Sequence, residues 1–258
     1  MMNDKKLFVA AEIEAIWPQD FPAGRILDEE NRHLTLAFLG STSLSPVLEK
    51  IKTISLPSSI GPAGYCTRWS FLPSDHEPRI VAADIEPPNF MQADQKLIAH
   101  ALHVQETRQF FPHITVSRGA IDVEAWKKFS CQIPFYVKAI ALWESLGNSH
   151  YQSLWRHSFI PPFEEIEHTA DIAFLIRGNN FYELYLHAQL ALAFKFPPLV
   201  HYFSGEKKFP SLDTVIAALN ELIARTDLAI GVPFKAVSYH DEMIYHANHL
   251  EWKMIVDV

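Results

Sequence analysis

Short apolar runs in the first 160 residues, separated by Gly, Pro and polar clusters, read as strands mixed with helices. "KLFVAAEI" (6–13), "HLTLAFLG" (33–40), "PRIVAADIEP" (78–87), "HITVS" (113–117) and "FYVKAIALWES" (135–145) are the predicted strands. The second is expected to stop at Gly40, and prolines bracket the third. "PVLEKIKTI" (46–54) and "FMQADQKLIAHALHVQE" (90–106) repeat at helical spacing, the latter with Leu97, His100, Ala101 and Val104 near one face.

At "PPF" (161–163) the pattern changes, and a proline pair continues neither helix nor sheet, so the chain is expected to divide into residues 1–160 and 161–258. In "FEEIEHTADIAFLIRG" (163–178), Ile166, His168, Ala170, Ile172 and Phe174 alternate against Glu167, Thr169 and Asp171, a strand pattern in which His168 sits on the apolar side and reads as structural. "NNFYELYLHAQLALAFKF" (179–196) predicts a helix ended by Pro197–Pro198. A second helix starts at an N-cap Ser211 and lines Leu212, Val215, Ile216, Leu219, Leu222 and Ile223 along one face. "FKAVSYH" (234–240) and "EWKMIVDV" (251–258) are the closing strands.

Composition narrows the setting. Of 258 residues 48% are apolar and 20% charged, an ordinary globular balance. No apolar run approaches the ~18 residues that span a bilayer, so no membrane partner is expected. The opening "MMNDKKLFVAAEIEAIWP" shows no signal-peptide pattern. Cys66 and Cys131 are then expected as reduced thiols in a soluble, cytoplasmic protein. The net charge of −8 is uneven: 15 Lys/Arg face 17 Asp/Glu in residues 1–160, and 7 face 13 in the remainder. Non-specific duplex binding needs many cations along the phosphates, which this distribution does not supply. A single phosphate group held by local Arg and His in the first part remains open.

The chemistry-bearing pattern is a repeat. His33-Leu34-Thr35 and His113-Ile114-Thr115 each put His and Thr on one face of a strand and apolar residues on the other. A neutral imidazole takes a proton from water and a charged one gives a proton to a leaving oxygen, and both forms exist near pH 7. The threonine hydroxyls can hold a ring or a phosphate oxygen, and Arg118 can balance charge that grows on phosphorus oxygens. The spacing does not say which histidine is acid and which is base.

With these motifs, residues 6–160 resemble the 2H phosphoesterase superfamily, specifically its RNA 2′,3′-cyclic phosphodiesterases, also called the 2′-5′ RNA ligase family. "LFVAAEI", "HLTLAFLG", "PRIVAADI", "FFPHITVSR" and "LWESLGNSHYQSLW" carry the resemblance in family order. It implies a bilobal α/β (α+β) fold with two antiparallel sheets around a groove and one motif per lobe. It also implies metal-independent opening of RNA 2′,3′-cyclic phosphates to 2′-phosphates. His33 and His113 would be catalytic, with Thr35, Thr115 and Arg118 on the phosphate. By the same resemblance Phe38 packs on a base or ribose, whereas strict alternation places it on the core face.

In the second part, Asp171 and Asp257 meet the C-terminal carboxylate of Val258 if their strands are neighbours. Such oxygens suit a hard cation, Ca²⁺ or Mg²⁺; solvated aspartates at strand ends are the other reading. "FEEIEHTADIAFLIRGNNFYELYLHAQLALAF", "LNELIARTD" and "PFKAVSYH…WKMIVDV" are similar to archease, in shortened form. That resemblance implies a small α/β domain with a cation on Asp171, Asp257 and Val258. It also implies assistance to a GTP-dependent tRNA-splicing RNA ligase. The combined expectation is a cyclic phosphodiesterase with an archease-like accessory domain. The alternative is a non-catalytic RNA-end-binding cofactor of such a ligase.

Overall fold

The computed structural model describes residues 4–105, 109–169, 171–204, 208–238 and 243–258. Glu106 of the predicted second helix, Ala170, and the Tyr239–His240 end of "FKAVSYH" lie outside them. Among the described residues no helix is long and apolar enough to cross a membrane.

The chain is a mixed α/β protein with two sheets. Its first part contains β1 (Lys5–Ala15), β2 (Arg25–Ile26), β3 (His33–Thr42), α1 (Leu44–Ile51), β4 (Ala63–Leu72) and β5 (Ile80–Glu86). There follow α2 (Gln92–Ala101), β6 (His113–Arg118), α3 (Val123–Lys128), β7 (Ile133–Gly147) and β8 (His150–Ser158). The strand order is β1-β3-β6-β5-β4-β7-β8, and β1 also pairs with β7, which closes six strands into a ring. Two antiparallel halves, β3-β1-β7-β8 and β6-β5-β4-β7, share the long strand β7 on one side. On the other side they touch through the single pair Leu34–Ile114.

Alternation explains the layering. Leu7, Val9, Ala11 and Ile13 of β1 join Leu34, Leu36, Ile114 and Val116 in the main core, while Phe8 and Ala10 belong to a separate cluster with Ala141 and Trp143. Phe8 of that smaller cluster lines the cavity between the two halves. Where strict alternation fails, a bulge is responsible. β3 does not stop at Gly40; it continues to Thr42, with Gly40 at φ 69° beside a register shift that leaves Leu39 unpaired. Helix α2 buries Gln95, Ile98 and Ala99, while Leu97 is 38% exposed. The expected inward face was therefore misplaced, because the helix ends at Ala101 and Val104 is not part of it.

The second sheet is built from β9 (Phe163–Ile166), β10 (Ile172–Gly178), β11 (Ala236–Val237), β12 (Met243–Tyr245) and β13 (Leu250–Asp257), in the order β11-β13-β10-β9 with β12 on β13. The alternating stretch 166–174 is thus a hairpin rather than one strand. β9 ends at Ile166, and the polar residues after it belong to the connection. His168 lies in that connection, exposed, with Nδ1 4.0 Å from Asp171 Oδ2, so its structural reading does not hold. Two helices cover the sheet. Asn180 caps α4 (Phe181–Lys195) by accepting from Glu183 N at 3.0 Å, and a 3-10 helix (Pro197–Tyr202) follows the expected proline stop. Helix α5 (Leu212–Ile230) starts at Ser211, whose N–H donates to Thr214 Oγ1 at 3.3 Å, and buries all six apolar residues of the predicted face.

Helix α4 is buried nearly all round, as its long apolar run demands. One side meets β10; the other meets β4 and β7 of the first sheet. Tyr136 packs its ring on Phe163 (5.5 Å between centroids) and Phe194 (5.8 Å), and Tyr65 packs on Phe203 (5.0 Å). The second core therefore rests directly on the outer face of the first sheet.

Candidate active site

β3 and β6 run antiparallel through Leu34–Ile114, so the two His-apolar-Thr motifs are related by a local two-fold axis. Each histidine lies toward the other motif's threonine. His33, Thr35, Phe38, His113, Thr115 and Arg118 all line one cavity of about 690 Å³ between the two halves of the ring.

The repeat goes deeper than the motif. β3 carries an extra residue, Leu36, directly after Thr35, and β6 carries Val116 directly after Thr115. Each bulge reverses the face on which the later residues of its strand lie. That is why Phe38 leaves the core face predicted by alternation and stands 73% exposed over the groove, its ring 6.1 Å from that of Phe8. It is also why Ser117 is buried and Arg118 faces the cavity. Phe38 and Arg118 are therefore equivalent positions, five residues after their histidines.

Both imidazoles are tethered alike. Nδ1–H of His33 donates to the carbonyl of Asn31 (2.9 Å), and Nδ1–H of His113 donates to that of Phe111 (2.8 Å). A backbone acceptor at Nδ1 selects the tautomer that leaves Nε2 available for proton transfer.

Their surroundings differ. The His33 ring sits among Phe8 (5.2 Å), Trp143 (4.7 Å, edge-on) and Tyr151 (5.1 Å, edge-on). Desolvation in this cage lowers its pKa from 6.5 to about 4; the tether to Asn31 opposes the shift, and the charges of Arg118 and His113 add to it. His33 is therefore neutral at pH 7. His113 stacks on Phe111, which is itself 45% exposed. Glu12 fixes part of the cage by accepting from Trp143 Nε1 (3.4 Å) and Arg156 Nε (2.8 Å).

The cavity's other wall is cationic. Among the described residues, Arg118 Nε is buried with no hydrogen-bond acceptor. Arg25 lies directly across β2–β6 from Arg118, and like charges so placed repel unless an anion lies between them. Arg25 also donates through Nη2 to Asn148 O (2.6 Å) and Ser149 Oγ (3.4 Å), holding the β7–β8 turn at the cavity rim. An unpaired guanidinium N–H, two hydroxyls and two ring nitrogens converging on one cavity suit a phosphate group better than a neutral ligand.

Sequence reasoning missed Phe8, Trp143, Tyr151 and Arg25. Trp143 and Tyr151 belong to the quoted "LWESLGNSHYQSLW", and the Asn148–Ser149 pair, both residues at positive φ, marks the hairpin that brings them together. No local signal singled out Arg25.

In the second sheet β10 and β13 are neighbours, and their register, Ile172 opposite Val256, carries Asp171 toward Asp257. The remaining donors are engaged. Ser238 Oγ donates to Asp257 Oδ1 (3.1 Å), and Lys235 Nζ donates to the Val258 oxygen (2.5 Å). The Lys235 ammonium occupies one side of that oxygen, so a Ca²⁺ or Mg²⁺ ion drawing on it would compete with Lys235.

No protein-family model and no curated protein matches the chain. Among solved structures it is similar to E. coli LigT in its apo form, with 21% identity, 60% of this chain and 98% of that one covered, and a TM-score of 0.46. It is also similar to a structure described as a phosphoesterase (20% identity, 60% and 98% covered, TM-score 0.45). TT0787 of Thermus thermophilus is a third (18%, 60% and 97%, 0.44).

Proposed function

We propose that residues 1–160 form a 2H-type phosphoesterase that opens RNA 2′,3′-cyclic phosphates to 2′-phosphates without a metal ion. The observation that carries this reading is the convergence on one cavity of both tethered histidines, both threonines and Arg118, whose Nε has no acceptor among the described residues. In the proposed step, water attacks phosphorus as neutral His33 Nε2 removes its proton. The bond from phosphorus to O3′ breaks, and protonated His113 Nε2 delivers a proton to the departing O3′. The neutral resting form of His33 favours this order of roles over the reverse. Thr35, Thr115 and Arg118 hold the non-bridging oxygens, where charge grows in the transition state. Exposed Phe38 offers its face to the base.

The test is hydrolysis of a short RNA bearing a 2′,3′-cyclic phosphate in excess EDTA. Release of a 2′-phosphate by the wild type, lost in both His33→Ala and His113→Ala, is expected. A 3′-phosphate product, or turnover that survives either substitution, would overturn the scheme.

For residues 161–258 the reading is an archease-like accessory domain, with Asp171, Asp257 and Val258 receiving Ca²⁺ or Mg²⁺ once Lys235 withdraws. The adjacency of β10 and β13 supports it. Stimulation of a GTP-dependent RNA ligase by the full chain, with Ca²⁺ binding tightened by Lys235→Met, is the expected result; an unchanged ligation rate counts against it.

A further inference from the structure

A second concentration of ligating side chains lies away from both of these sites, at the tip of the β12–β13 hairpin. The turn runs His246-Ala247-Asn248-His249 and is closed by His246 N–H donating to His249 O at 2.9 Å. This closure brings the two imidazoles face to face, with centroids 4.4 Å apart and planes 18° from parallel. Glu251, two residues further on in β13, places Oε1 3.5 Å from His246 Nε2. One ligand atom from each of His246, His249 and Glu251 lies within 4.8 Å of the others, and among the described residues this is the group of three or more His, Cys, Asp or Glu side chains so arranged.

The carboxylate is held from behind. Arg177, opposite Glu251 in the β10–β13 register, donates through Nε to Glu251 Oε2 at 2.9 Å, leaving Oε1 directed at the histidines. Arg177 is itself fixed by Glu164 (3.2 Å) and by the Pro161 carbonyl (3.2 Å), with only 11% of its side chain exposed. An outer hydrogen bond that aims a ligating oxygen is the arrangement metal sites use to hold their ligands. Two imidazole nitrogens and one carboxylate oxygen form a mixed donor set that suits zinc better than the oxygen-seeking Ca²⁺ or Mg²⁺.

We infer that the β12–β13 turn binds one zinc ion through His246, His249 and Glu251, with Arg177 positioning the carboxylate. Small rotations of the exposed His246 ring bring the three donors around the ion, and a fourth position stays open to water. Asn248 of the same turn lines a cleft of about 580 Å³ together with Ser58, His157 and Asn179. The ion would therefore stiffen the turn beside the junction of the two sheets.

The chain has 13 histidines, so the experiment must locate the ion as well as detect it. Metal-stripped full-length protein is titrated with Co²⁺, followed by visible absorption, and then with Zn²⁺ as competitor. The wild type, His246→Asn, His249→Asn and Glu251→Gln are compared with the His33→Ala/His113→Ala double variant. One equivalent of Co²⁺ displaced by one of Zn²⁺ is expected in the wild type and in the double variant, with binding at least about tenfold weaker in each hairpin variant. Metal-free thermal unfolding of the two His→Asn variants should match the wild type, which separates ligand loss from misfolding. Equal affinity in the wild type and the hairpin variants, or loss of the Co²⁺ band in the double variant instead, overturns the inference.

Discussion

His33 and His113 make the same backbone tether two residues upstream, and one extra residue follows each motif threonine, yet only His33 is enclosed by Phe8, Trp143 and Tyr151. The difference comes from β1, which pairs with β3, and from β7 and β8, which follow β1 in the sheet, whereas β6 lies beside β2, β3 and β5. In the proposed reaction, duplicating a strand motif supplies two alike proton-transfer groups. Unequal neighbours then set the two apart: enclosure lowers the pKa of His33, which suits it to the proton-accepting role in that reaction. The fifth position repeats the lesson. On equivalent bulged strands it is Phe38 in one and Arg118 in the other, an apolar face on one side of the cavity and a charge on the other.

The harshest way to break this comparison is to delete either ring. His33→Ala and His113→Ala are each expected to lower kcat for the cyclic phosphate by about 10²–10⁴-fold. Next in size is Arg118→Met, which removes a donor aimed at developing charge and should cost about 10²–10³-fold in kcat, with Arg25→Ala costing less. If Arg25→Ala proves the more damaging, the equatorial role belongs to Arg25.

The inequality itself is read by pH. The acid limb of kcat/KM should lie near the lowered pKa of His33, about 4, rather than near 6.5. Trp143→Ala opens the cage and should move that limb upward, whereas Phe111→Ala, beside His113, should leave it in place. Folding stability carries the same signature. As pH falls below 6.5 the unfolded chain protonates His33 before the folded protein does, so stability declines progressively down to about 4, by roughly 3 kcal/mol. Urea unfolding at pH 7 and pH 4.5 should show this decline shrinking in His33→Asn. The smallest effect is expected from Phe38→Ala, a loss of about 1–3 kcal/mol in RNA binding through weakened stacking. At a side chain 73% exposed, its unfolding free energy should stay within about 0.5 kcal/mol of the wild type.

Where an element's pattern is unbroken, the sequence was enough to place it. Strand β1 follows from its apolar run, and the motif halves of β3 and β6 and the buried face of α5 follow from local periodicity. Strand β4 went unread because a register shift between Cys66 and Arg68 interrupts its alternation. The stretch 166–174 imitated one strand because the polar turn of a hairpin happened to keep the period. In α2 two apolar stripes competed, and the buried one was settled by the sheet beneath it.

By itself, the sequence determined that His33 and Thr35, and likewise His113 and Thr115, share a strand face, since side-chain direction along a strand is set by the backbone alone. Tertiary structure decided what a period of two cannot express. The bulges that bring Phe38 and Arg118 into the cavity exist only against partner strands, and the cage around His33 is drawn from three other segments of the chain. Neither burial nor a shifted pKa is a property of a residue and its sequence neighbours; both arise when distant strands close around it.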